Sequence, residues 1–268
     1  MRNKTFPKLI STPLSISLLW VMPVSVAFPQ TFPNLSNTRA SQETVKGETV
    51  LKARGTIRDA DSLSDGTLFF IEYEHRAINQ RAVSTLIRQY DLTGRLVTSE
   101  NTIYDATGKL KKYKLEQLQT NTTAFVEIVD QKVVMAWNEN GSVKNSSDKA
   151  SDNTVAAGSL MAYMSPHTKS LSQGESLQIR LAIPERGSVM SFSISPQRDD
   201  CSTVPNDLCV NLMLSNFILK KLLNPIKMSF QNTAQGYRPL SLVTPAVVRR
   251  LKGQNLEKFT ARIDYPRL

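Results

Sequence analysis

The chain has 268 residues, with 33 Lys or Arg against 23 Asp or Glu, 13 Pro, 11 Gly, two Cys and two His. An apolar content of 40% supports a core for one or two domains, while scarce glycine and the lack of heptad runs exclude collagen, coiled coil and wholesale disorder. Two histidines and two cysteines leave almost nothing for a zinc cluster or a haem, so no metal and no cofactor is expected.

Residues 1–27 read as a secretory signal peptide. Arg2, Lys4 and Lys8 form a basic start without an acid, residues 14–24 are a short apolar stretch, and Ser25-Val26-Ala27 supplies small residues for cleavage after Ala27. The apolar stretch is about half of the ~20 residues a span needs, and no later segment reads as one, so no transmembrane segment is expected after processing. The expected product is exported, periplasmic or secreted, and its net charge falls from +10 to +7 with the three N-terminal cations removed.

Residues 28–48 are rich in Ser, Thr, Asn, Pro and Gln and predict a flexible leader. Alternating strands follow over 49–57, 67–75, 82–90, 96–104, 110–118 and 124–137, as in an antiparallel meander. Tyr90-Asp91-Leu92-Thr93-Gly94 recurs as Tyr104-Asp105-Ala106-Thr107-Gly108. Asp can start such a turn by accepting from nearby backbone N–H groups, and Gly closes it at positive φ, so two hairpins of equal strand length are expected.

Residues 138–153 predict a polar loop between two halves of a single domain spanning 49–268. Beyond it, 156–164 reads as a short helix stopped by Pro166, and 176–183 with 188–195 as a hairpin around residues 184–187. Cys201 and Cys209 are close enough to form a disulfide in an oxidising compartment. Residues 210–223 form the most apolar stretch of the mature chain and fit a buried helix, although helix and strand are not separable over 208–214. Strands are expected again at 226–231, 237–243 and 259–265. Thr244-Pro245 and Gly253 mark the ends of a short basic helix over 245–252.

This pattern predicts an α+β fold, mostly antiparallel β, with a curved meander sheet or incomplete β-barrel and two or three short helices. At the level of architecture it resembles the half-barrel of periplasmic lipoprotein carriers. Tyr73-Glu74-His75, the two YDxTG turns, Gly174-Glu175 and Ile263-Asp264-Tyr265 together resemble a group of uncharacterised exported bacterial proteins over residues 60–265. That resemblance implies an envelope location and brings no catalytic residue.

Three functional readings stay open. In the first, an apolar or amphipathic ligand binds inside the half-barrel against Met161, Met164, Met213, Phe217 and Leu219, because methionine adapts to varied shapes. A basic face of Lys220, Lys221, Arg249, Arg250 and Lys252 would then hold an anionic head group, a lipid or another anionic envelope component being the partner and nucleic acid not. In the second, the core is filled and the basic face docks an envelope component. The third is an enzyme, requiring Glu72, Glu74 or His75 to face a cleft. Glu72 and Glu74 share one strand face and Tyr73 and His75 the other; His167 is the sole further histidine. Ser146-Ser147-Asp148-Lys149 matches a serine–lysine nucleophile spacing by chance in a polar stretch, and no nucleophile elbow, phosphate loop or HExxH motif occurs.

Overall fold

Period-two alternation produces strands, and glycine, asparagine and aspartate reverse the chain between them. In the computed structural model, which describes residues 40–45, 47–62, 66–197, 207–216, 225–233 and 236–267, nine strands follow one another in this way. The strands are β1 (Ala40–Val45), β2 (Glu48–Asp59), β3 (Phe69–Ile78), β4 (Arg81–Tyr90), β5 (Leu96–Tyr104), β6 (Leu110–Gln117), β7 (Thr122–Val129), β8 (Lys132–Glu139) and β9 (Ser142–Lys149). Each is antiparallel to the next.

The two-residue β10 (Thr154–Val155) leads into a run of helical turns from Ala157 that contains α1 (Leu160–Met164) and α2 (Thr168–Ser172). Then come β11 (Leu177–Ile183), β12 (Ser188–Pro196), β13 (Leu208–Leu214), β14 (Ile226–Thr233), β15 (Gly236–Pro245), a small hairpin of β16 (Arg250–Lys252) and β17 (Asn255–Glu257), and β18 (Thr260–Asp264). One 16-stranded sheet results, ordered β10-β11-β12-β13-β14-β15-β18-β2 and onward in sequence to β9, with β1 paired to β2 off this path. The last strand therefore joins the two halves by lying between β15 and β2. The sheet is not closed, but side chains tie its ends: Arg180 of β11 donates to the Lys149 carbonyl at 2.6 Å, and Asp148 of β9 accepts from the Val189 backbone N–H of β12 at 3.3 Å.

The repeated turns form as expected. Asp91 Oδ1 accepts from the Thr93 N–H (3.0 Å), the Thr93 hydroxyl (2.6 Å) and the Arg95 N–H (3.0 Å). Asp105 does the same with Thr107 (2.8 and 2.7 Å) and Lys109 (3.0 Å). Gly94 and Gly108 close the turns at φ of 84° and 83°. Partial desolvation disfavours the charge on each aspartate, yet the bonds from Thr93 or Thr107 and the following basic residue outweigh it and hold both carboxyls below their ordinary range. Asp91→Ala and Asp105→Ala are each expected to cost about 1–2 kcal/mol in urea unfolding. The double variant should show additive losses, since the turns sit at opposite ends of β5.

Several expectations are corrected. Residues 138–153 are not a loop: residues 142–149 form β9, paired along its length with β8 through the two-residue turn Asn140-Gly141, where both φ angles are positive (51° and 86°). Ladder hydrogen bonds need no apolar side chain, and a polar, charged strand suits a sheet edge. Residues 124–137 are two strands, reversed at Asp130-Gln131 (φ 47° and 60°). The end of the predicted leader pairs as β1 and the start of β2, while residues 1–39, including the expected signal peptide, lie outside the described residues.

Residues 208–214 are strand β13, not helix, and 217–224 lie outside the described residues. Pro166 does not end the helical run. It occupies the first turn of a 3-10 segment that continues into α2, where a missing N–H costs nothing. The expected basic helix over 245–252 is instead an irregular stretch followed by β16, and Gly253 (φ 63°) turns a hairpin. The proposed bridge of Cys201 to Cys209 is only half visible, since no cysteine pair lies wholly among the described residues; Cys209 stands on β13 opposite Ser229.

Candidate functional site

Inward-facing side chains from β2 to β5 and from β11, β13, β14, β15 and β18 converge on one cavity. Ile57, Ile71, Leu212, Leu242 and Ile263 form its apolar walls, and Leu160 and Met161 of α1 close one side. The segment Ala246-Val247-Val248 lies across another side. Gln117 Nε2 donates to the Val247 carbonyl at 2.8 Å, and Gln119 exchanges two bonds of 2.9 Å with the backbone of Arg249, so β6 and its following turn hold that segment in place. The cavity volume is about 160 Å³.

Polar side chains interrupt this apolar lining: Glu100 and Gln89, together with Tyr73, Thr244 and Tyr265. Glu100 of β5 and Gln89 of β4 are 5% and 4% exposed, and both face the cavity. Tyr113 of β6 donates to Glu100 Oε2 at 2.9 Å. Burial pushes the Glu100 carboxyl above its ordinary pKa, and the Tyr113 bond only partly opposes this. Gln89 Oε1 and the hydroxyls of Thr98 and Thr102 are buried without a hydrogen-bond partner. Gly158 lets the helical run approach this group: a Cβ there would stand 3.0 Å from the Tyr113 ring and 3.2 Å from both Glu100 Oε2 and the Thr102 hydroxyl.

A second polar line lies beside it on the same inner face. His75 Nδ1 meets the Thr85 hydroxyl at 3.0 Å, which meets the Tyr104 hydroxyl at 3.0 Å. Desolvation lowers the His75 pKa to about 4, against a raising bond to the Ser84 backbone, so the imidazole is neutral at pH 7. Burial also drives the phenols of Tyr73, Tyr104 and Tyr265 upward, so they are neutral at pH 7.

The residues singled out in the sequence scatter. Met161 lines the cavity and packs against the apolar clusters on both sides of it. Met164 is fully buried among Leu171, Ile179 and Ile194, away from the cavity. Met213 points to the opposite sheet face, because Leu212 and Leu214 take the inward positions of β13. Phe217, Leu219, Lys220 and Lys221 lie outside the described residues.

The basic excess near the C-terminus is largely matched by acids. Arg250 pairs with Asp59, Lys252 with Glu257 (3.6 Å), Lys258 with Glu185 (3.3 Å), Arg262 with Asp264 (3.1 Å) and Arg267 with Asp207 (2.6 Å). Arg249 is half-buried against Gln119. Glu72 and Glu74 are on the face away from the cavity, bonded respectively to Arg54 with Tyr90 and to Lys52. His167 rests beside the Tyr163 ring, and Ser146 belongs to edge strand β9.

Glu100 escaped sequence reading because β5 alternates Leu96, Thr98, Glu100, Thr102 and Tyr104 against Val97, Ser99, Asn101 and Ile103. Neither set is clearly apolar, so nothing local marks the carboxylate as buried.

Among the described residues no group of three or more His, Cys, Asp or Glu side chains is placed to hold a metal ion, and no helix is long and apolar enough to cross a membrane. Comparison with known proteins finds no match among family models, curated proteins or solved structures. The resemblance to exported bacterial proteins thus rests on its short motifs alone.

Proposed function

We propose that this is an exported envelope protein, without catalytic activity, that holds a small apolar or amphipathic molecule inside a curved, half-barrel sheet. The observation that carries this reading is the cavity under α1. Its walls come from both halves of the sheet, and packed cores rarely keep a space of that size. A volume of about 160 Å³ is close to that of an engineered apolar cavity able to take benzene. The occupant is therefore a short molecule or one segment of a longer chain. The Ala246–Val248 stretch is the element we propose moves for entry, being irregular backbone that lies across the cavity, tied by Gln117 to the Val247 carbonyl and by the Ala246 N–H to the Phe259 carbonyl.

Non-denaturing mass spectrometry tests this reading on protein purified without detergent from the exported fraction. The expected species is a chain beginning at Phe28 with a discrete added mass that extracts into organic solvent. A bare polypeptide mass, obtained repeatedly and unchanged on incubation with short apolar compounds, would sink the binding reading. It would favour the second one, docking of a filled fold onto an anionic envelope component. That alternative draws on the β16–β17 hairpin, where Leu251 and Leu256 are paired and exposed beside Lys252 and Lys258.

A further inference from the structure

We infer that the cavity discriminates by head group, taking a short apolar molecule that carries a hydrogen-bond donor, an alkyl amine ahead of an alcohol, and refusing the carboxylate of the same chain. The inference rests on the binding reading above and deepens it. Its basis is the pair Gln89 and Glu100 in a mostly apolar wall, whose other polar side chains, Tyr73, Thr244 and Tyr265, are uncharged. Gln89 presents an amide oxygen, which can only accept, and that oxygen has no partner despite the residue being 4% exposed. Glu100 presents a carboxyl group whose Oε2 is held by Tyr113, and this bond orients the side chain without neutralising it. The cavity lining contains no Lys, Arg or His.

A ligand carboxylate or phosphate would thus enter a low-dielectric space with no counter-charge, next to a carboxyl group. Both desolvation and repulsion oppose it. An ammonium meets the reverse situation. It can donate a charge-assisted bond to the Glu100 carboxylate, and a second N–H can supply the partner that the amide oxygen of Gln89 lacks. An alcohol supplies one neutral donor and gains less. This reverses the sequence-based expectation of a basic mouth that holds an anionic head group. Of the cations meant to form that mouth, Lys220 and Lys221 lie outside the described residues, Arg250 and Lys252 are matched with acids, and none, Arg249 included, lines the cavity.

The test titrates the folded mature chain with hexylamine, hexanol and hexanoate at pH 7, followed by calorimetry and by the shift in Tm. Hexylamine is expected to bind about tenfold or more tightly than hexanol, the difference of one charge-assisted bond, with hexanoate producing no shift. Glu100→Gln keeps an acceptor for Tyr113 but removes the charge, and should erase the preference for amine over alcohol. Gln89→Leu, which leaves Glu100 untouched, should weaken both donor probes and serves if Glu100→Gln does not fold. Ala246→Leu fills the cavity from the segment that crosses it and should abolish all binding. Hexanoate binding as well as hexylamine, or an amine preference that survives Glu100→Gln, overturns head-group selection while leaving the cavity reading standing. If none of the three probes binds, the cavity reading itself fails.

Discussion

Replacing Gly55 by alanine is expected to destabilise the protein by about 3–5 kcal/mol, at the upper end of what single substitutions do. Gly55 lies on the inner face of β2, where the chain leaving β18 crosses it. A Cβ at this position would stand 2.2 Å from the backbone oxygen of Asp264 and 3.0 Å from the Tyr265 ring. The first contact is with backbone held in the sheet by the pairing of β18 with β2 and β15, so no rotamer change relieves it. A thermal melt should show a loss of about 10 °C, taking about 2–4 °C per kcal/mol for a chain of this size. Tyr265→Ala should fail to rescue it, because the obstruction is main chain. A near-neutral Gly55→Ala would mean that β18 does not cross β2 in this register.

The second large effect concerns acid. His75 sits on the inner face of β3 with a pKa lowered to about 4 by desolvation. An unfolded chain protonates this imidazole near its ordinary value of about 6.5, whereas the folded chain does not until about pH 4. Between those values the unfolded state binds more protons. Folding stability is therefore lost as pH falls through that window, by about 3 kcal/mol for this group. His75→Gln preserves a bond to Thr85 and does not titrate. Urea unfolding at pH 7.5 and pH 4 should show a difference for the parent protein about 3 kcal/mol larger than for the variant. Equal pH dependence in the two proteins would place His75 in contact with solvent.

Glu100 works in the opposite direction. Its raised pKa means that its contribution is fully present below the ordinary carboxylate value and is lost as pH rises through the folded value. The protein thus carries two titrating groups of opposite sign on one sheet face, Glu100 buried and His75 partly so, and comparison with His75→Gln isolates one of them. Structurally, both are held by neighbours that are not charged, Thr85 for the histidine and Tyr113 for the glutamate. Neither group is needed to keep the strands paired, because the ladder does that through backbone. Of the two, Glu100 lines the cavity and His75 lies beside it.

Local chemistry was sufficient wherever the deciding contacts lie within a few residues. Alternation in 69–78 and 81–90 marks strands, and it even separates Glu72 and Glu74 from Tyr73 and His75, because successive side chains must point to opposite faces. Asp91 and Asp105 bond to groups two and four residues ahead, so both turns follow from sequence alone. Asn140-Gly141 is of the same kind, a two-residue turn signal from which β9 could have been inferred despite its polar side chains.

Tertiary structure decided what depends on distant partners. Alternation in β13 defines two faces but not which of them is covered, and packing against the helical run of α1 and α2 turned Leu212 inward and Met213 outward. Helix and strand were indistinguishable there because a run buried on one side by a helix and flanked by strands is apolar by either period. The cations of the C-terminal third count as an excess in sequence, yet folding sets Arg250 beside Asp59 and Lys258 beside Glu185, acids 191 and 73 residues away. Glu100 reads as an ordinary polar residue of a mixed strand. Its burial is created by Gly158 and Tyr113 and by strands from both halves of the chain, and that long-range enclosure gives the cavity an acidic rather than a basic end.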